Sequence, residues 1–344
     1  MKRTRLSLIL ACALLALPAT AQTYEPFTDF PAPAPGAFTV VGAALSDGRL
    51  AVWNGGDVFL QYAPDTNAFL EIASGYAGDP AFLLREPGGT LLLGAGFSGN
   101  IYRLDPDQPA DYTPASVVIN TPHYAAVLLT DTLLLVDAGL PGFTGSELQI
   151  VELSPAKRTP FTVVHGLPAP KTQVVEKPPF TYSAALGLDA TNNIVYAMST
   201  FGAPEELRYF TVSELLNAYT TATPLDWSAD GTLIGAAGQF NNGGVASILA
   251  NGHVVMPGFG SIQEIDPRLD DPSQASVVDS FDPSGLGSFY NVIFNPITQV
   301  ILAVDGSGNV YAPTGTVQSL PAAGLGALAL LSLMLTLAAR RRLR

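Results

Sequence analysis

The sequence predicts an all-β fold, a β-propeller of six blades, over residues 39–313 of this 344-residue chain. Two observations lead to this prediction. Short runs of Val, Ile, Leu, Phe and Tyr are broken by Gly, Pro, Asn and Asp, and the 3.6-residue period of a long helix is absent. One pattern also recurs: an aliphatic strand, a glycine-rich turn, and a second strand that ends near Asp or Pro.

The recurring unit has the spacing of about 40 residues that is typical of a four-stranded propeller blade. Copies begin at Arg49, Thr90, Thr132, Asn193 and Gln299, the first three of them 41 and 42 residues apart. Two further candidates begin at Thr232 and His253, too close together to be the same strand pair of neighbouring blades. We therefore expect six blades, with seven blades or a pair of β-sandwiches as the alternatives.

Apolar segments that flank these units are expected to complete the blades. Innermost strands are predicted in 124–130 and 290–296, and outermost strands in 69–74, 115–120 and 161–166. The last unit lacks an outer strand after Tyr311, so the segment YEPFTDFP in the Pro-rich stretch 22–38 is expected to close the ring. Residues 165–180, rich in proline and carrying Lys171 and Lys177, are expected to form a solvated connector.

These repeats resemble those of NHL-like and lactonase-like β-propellers, through composition rather than a diagnostic motif. The resemblance implies a central channel, where lactonase-like propellers hold a divalent ion with carboxylate and amide side chains. Asp189 and Asn291 are of a suitable type, although the sequence does not show whether they lie in the channel.

The charge distribution argues against nucleic acid as a partner. Three basic residues lie near the N-terminus and four at the C-terminus, which leaves nine against 29 acidic residues, a net charge of about −20 for the body. Such a surface repels phosphate backbones and attracts cations. Cys12 is the only cysteine and lies in the N-terminal apolar segment, so the body contains no disulfide and no thiolate metal ligand.

The sequence predicts no catalytic residues and no organic cofactor. It contains no Gly-x-Ser-x-Gly motif, and His123, His165 and His253 lack the close spacing of metal ligands. Two acidic clusters are candidate Ca²⁺ ligands, because dense loop carboxylates can supply oxygen ligands. They contain Asp266, Asp270 and Asp271 in one segment and Asp105 and Asp107 in the other. Ordinary exposed turns are the alternative.

The N-terminus has the features of a secretory signal peptide. Lys2 and Arg3 precede an apolar stretch over residues 6–17, and Ala19 and Ala21 occupy the −3 and −1 positions of a cleavage site. We therefore predict a signal peptide over residues 1–21. Lipoprotein processing at Cys12 is the alternative.

The C-terminus has the features of a membrane anchor. Residues 322–339 carry no charge and would make a helix of about 27 Å, close to the hydrocarbon thickness of a bilayer. Arg340, Arg341 and Arg342 follow directly and are expected to stay in the cytoplasm, which places the body outside.

Leu320 and Pro321, the apolar helix and the arginine cluster together resemble the PEP-CTERM class of bacterial sorting signals, in particular its IPTL-type variant. That resemblance implies processing by an exosortase-type transpeptidase and transfer to the cell surface. A plain anchor in the inner membrane, with the body in the periplasm, is the alternative.

These observations favour an exported propeller on the envelope of a Gram-negative bacterium that acts as a non-enzymatic binding or adhesion module. Its expected partners are the membrane, through the C-terminal helix, and an envelope polysaccharide or protein. A metal-dependent lactonase-like hydrolase and a structural component of an exopolysaccharide matrix are the alternatives.

Overall fold

The strands of the described part of the chain form six sheets and one separate hairpin. The computed structural model describes residues 24–118, 122–153, 157–159, 162–164, 171–200, 206–234, 246–257, 261–281 and 289–314. Strand β1 (Tyr24–Pro26) comes first. Blade 1 contains β2 (Val41–Ala44), β3 (Leu50–Trp53), β4 (Val58–Gln61) and β5 (Phe69–Ala73), and blade 2 contains β6 (Phe82–Arg85), β7 (Leu91–Ala95), β8 (Asn100–Leu104) and β9 (Ser116–Val118).

The remaining blades follow in chain order. Blade 3 contains β10 (His123–Leu128), β11 (Leu133–Gly139) and β12 (Ser146–Glu152), then the separate hairpin of β13 (Lys157–Thr159) and β14 (Thr162–Val164), then β15 (Lys171–Glu176). Blade 4 contains β16 (Tyr182–Asp189), β17 (Ile194–Thr200) and β18 (Leu207–Thr211), then helix α1 (Val212–Thr221) and β19 (Leu225–Asp226), then β20 (Thr232–Ile234). Blade 5 contains β21 (Ser247–Ile248), β22 (Val254–Pro257), β23 (Ile262–Asp266) and β24 (Ser276–Phe281), and blade 6 contains β25 (Phe289–Asn295), β26 (Val300–Asp305) and β27 (Val310–Pro313). Short 3₁₀ turns occupy Gly96–Ser98, Pro109–Asp111, Pro141–Phe143 and Pro272–Gln274.

The sheets close into a ring, so the six-bladed propeller is confirmed and the sandwich alternative is excluded. The first strand of each blade contacts the first strands of both neighbouring blades, including the contact between β2 and β25 that joins the two ends. Strand β1 pairs antiparallel with β27, with Glu25 opposite Ala312, and supplies the outermost strand of blade 6. The N-terminal segment therefore closes the ring.

Each blade is apolar on both faces because it is covered by a neighbour on each side. In β7, Leu91 and Leu93 belong to the buried cluster between blades 1 and 2, whereas Leu92 belongs to the cluster between blades 2 and 3. Successive side chains of a strand point to opposite faces. Two-sided burial thus explains why strands such as Thr90-Leu91-Leu92-Leu93 read as continuous apolar runs.

Two strand predictions are wrong. The segment 161–166 does not form the outer strand of blade 3, because β14 pairs only with β13 in the separate hairpin. The outer strand is β15, which lies inside the predicted connector and pairs with β12, placing Val175 opposite Leu148. Val174 and Val175 are fully buried, and this apolar pair outweighs the flanking prolines and lysines that suggested a loop.

The candidate repeat from Thr232 is likewise not a strand pair of one blade. Strand β20 is the outermost strand of blade 4, and β21 is the innermost strand of blade 5. The pair that begins near His253, β22 with β23, is the true counterpart of the other units.

Blades 3 and 4 are joined by an additional crossover. Helix α1 begins with a capping box formed by Thr211 and Glu214 and packs against β15 and β18. After the helix, β19 adds a fifth strand to blade 3, parallel to β15, and the Trp227 amide donates to the Glu176 carbonyl at 2.9 Å. The chain then returns to blade 4 through β20.

Neither terminal prediction is tested by the fold. Two terminal segments lie outside the described residues. Residues 1–21 contain Ala19 and Ala21, and residues 315–344 contain the sorting-like motif and the arginine cluster. Within the described ranges, no helix has the length and apolar character that a membrane span requires.

Candidate functional site

The two faces of the ring differ in which connections they carry. In every blade the innermost strand begins at one face, here called the upper face, and the strands then alternate in direction. The upper face therefore carries the links between blades and the turns between second and third strands. The lower face carries the other turns.

Four aromatic residues form a closed circuit on the upper face, here called the aromatic platform: Phe97, Tyr124, Phe143 and Tyr182. Three ring contacts and one hydrogen bond from a side chain to the backbone join them. The Phe97 ring centroid lies 5.8 Å from that of Tyr124 and 6.3 Å from that of Phe143. The Tyr124 and Tyr182 centroids are 5.9 Å apart, and the Tyr182 hydroxyl donates to the Phe143 carbonyl. Edge-to-face packing of this kind stabilises aromatic clusters.

The platform spans three blades and is open to solvent. Phe97 lies in the turn between β7 and β8, and Phe143 lies between β11 and β12. Tyr124 and Tyr182 lie on the innermost strands of blades 3 and 4. Phe97 and Phe143 remain 56% and 68% exposed. Large aromatic side chains grouped in this way on a surface are typical of interaction sites.

Two exposed phenylalanines of this region have a left-handed backbone. Phe143 has φ 56° and Phe180, 59% exposed, has φ 61°. Bulky residues rarely adopt this conformation, at a cost of about 1–3 kcal/mol each, and such strain clusters at functional sites. The surrounding structure must therefore hold both residues in place.

Direct hydrogen bonds join the two loops that carry these phenylalanines. The Phe180 amide donates to the Thr144 carbonyl at 2.7 Å, and the Ser146 amide donates to the Thr181 carbonyl at 2.8 Å. Gly145 allows the close approach, because a Cβ atom there would lie 3.1 Å from the Phe180 nitrogen, and its φ of 132° suits only glycine. The two loops therefore form one unit.

A buried ion pair fastens the same two loops from below. The Lys177 ammonium lies 2.9 Å from Oδ1 of Asp137 and donates to the Ser146 hydroxyl at 3.2 Å. Both charged side chains are 0% exposed. The ammonium also lies 5.2 Å from the centroid of the Trp227 ring, a cation–π contact. Lys177 thus ties the loop before Phe180 to strand β11 and to the crossover segment.

Burial perturbs the ionisable groups of this region. It lowers the pKa of Lys177 below its usual range, opposed by the charge of Asp137. Burial, with the nearby Asp137 carboxylate, raises the pKa of Tyr124 to about 12. The phenol of Tyr124 is therefore a neutral hydrogen-bonding group at physiological pH.

One carboxylate lies at the edge of the platform. Asp79, in the link between blades 1 and 2, accepts a long hydrogen bond of 3.4 Å from the amide of Phe38, itself an exposed aromatic residue. A Cβ atom at Gly96 would lie 2.9 Å from the Asp79 carbonyl oxygen, so Asp79 packs against the residue before Phe97. Burial raises the pKa of Asp79 above its usual value, opposed by the Phe38 amide.

The two segments that carry the candidate Ca²⁺ ligands lie apart in the ring. Both clusters follow the third strand of a blade and so lie on the lower face, in blades 2 and 5, which are opposite each other in the six-membered ring. In blade 2, the Asp105 side chain accepts a hydrogen bond from the Asp107 amide. In blade 5, the Asp266 side chain accepts one from the Arg268 amide, and the Asp271 side chain accepts one from the Ser273 hydroxyl. Asp270 is exposed. These are contacts of ordinary turns.

No group of three His, Cys, Asp or Glu side chains suited to a metal ion occurs within the described ranges. Asp189 lies at the end of β16, on the lower face, and accepts from the amides of Thr191 and Asn192 in a turn. Asn291 is buried in β25 and accepts from the Val292 amide. Each of these two residues thus makes contacts with the backbone of its own segment.

The sequence did not reveal the residues that build the platform. Phe97 belongs to the segment GAGFSGN, which the repeat assigned to a plain turn, and Lys177 was expected to be solvated. A phenylalanine inside a glycine-rich turn was the one available signal, because such turns usually carry polar residues.

Known structures share the fold. A gluconolactonase from Xanthomonas campestris matches with a TM-score of 0.55 and 12% identity, over 85% of this chain and 91% of that protein. Regucalcin from Agrobacterium tumefaciens, a calcium-binding protein, matches with a TM-score of 0.54 and 9% identity, over 85% and 94%. A luciferin-regenerating enzyme matches with a TM-score of 0.52 and 12% identity, over 86% and 95%. At such identities the likeness shows the fold alone. No protein-family model and no curated protein sequence matches the chain.

We predict that Lys177→Met lowers the free energy of unfolding by about 3–5 kcal/mol, because it leaves the Asp137 carboxylate buried without its counter-charge. The double variant Lys177→Met/Asp137→Leu should recover part of this loss. Urea unfolding measures both. Arg268→Met, which removes the exposed partner of Asp266, is the control. It should lower the free energy of unfolding by less than about 1 kcal/mol. A loss at Lys177 no larger than this control would contradict the assigned role.

We predict that Asp79→Asn stabilises the protein at pH 7 and leaves its stability unchanged at pH 3. The folded state raises the pKa of this carboxyl above 3.8. The contribution of Asp79 to the free energy of unfolding is therefore fully favourable below that pH and is lost as the pH rises through the folded pKa. Thermal unfolding midpoints of both proteins at the two pH values provide the measurement. Equal differences at both pH values would show that desolvation of Asp79 is not the cause.

Proposed function

We propose that this chain is an exported envelope protein that binds polysaccharide through the aromatic platform. The observation that carries the proposal is the closed circuit of Phe97, Tyr124, Phe143 and Tyr182, exposed on one face and supported by strained, tightly fastened loops. Preorganised aromatic side chains bind with little loss of conformational entropy.

The chemistry of the platform suits sugar rings. The apolar C–H faces of pyranose rings pack against aromatic faces, and phenol groups exchange hydrogen bonds with sugar hydroxyls. The four platform side chains, two phenylalanines and two tyrosines, are uncharged, and the nearby charges of Lys177 and Asp137 are fully buried. The acidic body, with a net charge of about −20, repels polyanions such as nucleic acids.

The proposed location follows from the two ends of the sequence. A signal peptide over residues 1–21 exports the body, and the apolar segment 322–339 with its arginines anchors it in the inner membrane or serves as a sorting signal for the surface. Either route presents the upper face to envelope polysaccharide. Contact with a secreted polysaccharide would also make the protein a structural component of a matrix.

A metal-dependent lactonase is the second candidate, and the fold shared with gluconolactonases favours it. The experiment is to incubate the protein with glucono-δ-lactone in the presence of Ca²⁺ and to follow acid release. Metal-dependent turnover that survives Phe97→Ala and Phe143→Ala would favour this activity over the platform as the centre of function.

We predict that wild-type protein is retained on at least one member of a panel of immobilised neutral, acidic and amino-bearing polysaccharides. Phe97→Ala and Phe143→Ala should each weaken this binding at least tenfold, because each removes an exposed stacking surface. Tyr62→Ala, which truncates an aromatic side chain 76% exposed and outside the platform, is the matched control and should bind as wild type. Absence of retention, or equal losses in all three variants, would overturn the proposal.

We predict that replacing Arg340, Arg341 and Arg342 with serine shifts the protein out of the fraction that the wild type occupies, because these charges fix the orientation of the C-terminal helix. Cell fractionation followed by immunoblotting measures this. An unchanged distribution would show that the arginines do not govern placement.

A further inference from the structure

One carboxylate at the edge of the platform lacks a counter-charge. No described Lys, Arg or His side chain forms an ion pair with Asp79, and its one described hydrogen bond is the long contact of 3.4 Å from the Phe38 amide. The side chain of Asp79 is half-buried, and its backbone carbonyl packs against Gly96, the residue before the exposed Phe97. A carboxylate held partly out of water without a cation gains from any cation that arrives.

We propose that Asp79 binds an ammonium group of the polysaccharide, so that the preferred ligand is a polymer of amino sugars with free amino groups. This inference rests on the proposed function, because it names the ligand of the same platform. In this arrangement Phe97 stacks on a sugar ring, and the Asp79 carboxylate accepts from the ammonium group on that ring.

Three features of the molecule favour a positively charged ligand at this place. Aromatic faces attract cations through their quadrupoles, and Asp79 contacts the Phe38 amide and packs against Gly96, the neighbour of Phe97. The body carries a net charge of about −20, so its field draws cationic polymers toward the surface. Lys177 is paired with Asp137 and fully buried, so it does not neutralise Asp79.

An amino sugar fits this combination better than a cationic peptide. A 2-amino-2-deoxypyranose carries its ammonium group directly on the ring whose C–H face stacks, so that one sugar residue presents both groups at a fixed separation. A lysine side chain carries its charge at the end of a flexible stem, and ordering that stem costs conformational entropy.

The test compares hexamers of glucosamine and of N-acetylglucosamine, which share a backbone and differ in the charged amino group. Binding of each to the protein is measured by calorimetry at about pH 6, where the amino groups are protonated. We expect the glucosamine hexamer to bind about tenfold more tightly. Asp79→Asn should abolish this preference and leave the affinity for the acetylated hexamer unchanged, whereas Phe97→Ala should weaken both.

Asp107→Asn is the matched control, because it removes an exposed carboxylate on the lower face and should leave the preference intact. The inference is overturned if the two hexamers bind equally, if neither binds, or if Asp107→Asn reduces the preference as much as Asp79→Asn does. Displacement of the hexamer by equimolar hexalysine would instead indicate a cationic peptide as the ligand. Equal binding of both hexamers that Phe97→Ala weakens would leave the proposed function standing and remove only this inference.

Discussion

The ring depends on the fact that every blade is apolar on both faces. A sheet such as β6–β9, with Leu91 and Leu92 pointing to opposite sides, cannot be stable alone and needs a neighbour on each side. Six buried clusters, one at each junction between blades, satisfy this need only when the ring is closed. Closure therefore fixes the position of every loop on the upper face.

Several energetically costly features lie together at one part of that face. A left-handed phenylalanine on each of two loops and a fully buried Lys177–Asp137 pair all lie where blades 3 and 4 meet. On the lower face, Asp189 and Asn295 accept hydrogen bonds from nearby amides in turns that contain the left-handed residues Asn193 and Gln299. The left-handed non-glycine residues of the upper face are thus large, exposed aromatic residues, whereas those of the lower face are not.

The sequence predicted the blade count and the closing segment but not the platform. Strand pairs of similar pattern recur along the chain, so a local pattern carries the fold. The platform residues come from four separate segments between Phe97 and Tyr182, and no local pattern links them. Lys177 was misread for the same reason: its partner Asp137 lies 40 residues earlier, and proximity of this kind arises only from the fold.

The closing strand also decides how the ring responds to mechanical force. Because β1 covers its outer edge, β27 lies between two strands, β26 and β1, and the chain leaves the ring from the end of β27. Tension applied beyond residue 314 would pull β27 along its own axis. Hydrogen bonds on both sides would then resist in shear together instead of opening one after another, a geometry suited to a protein held at its C-terminal end.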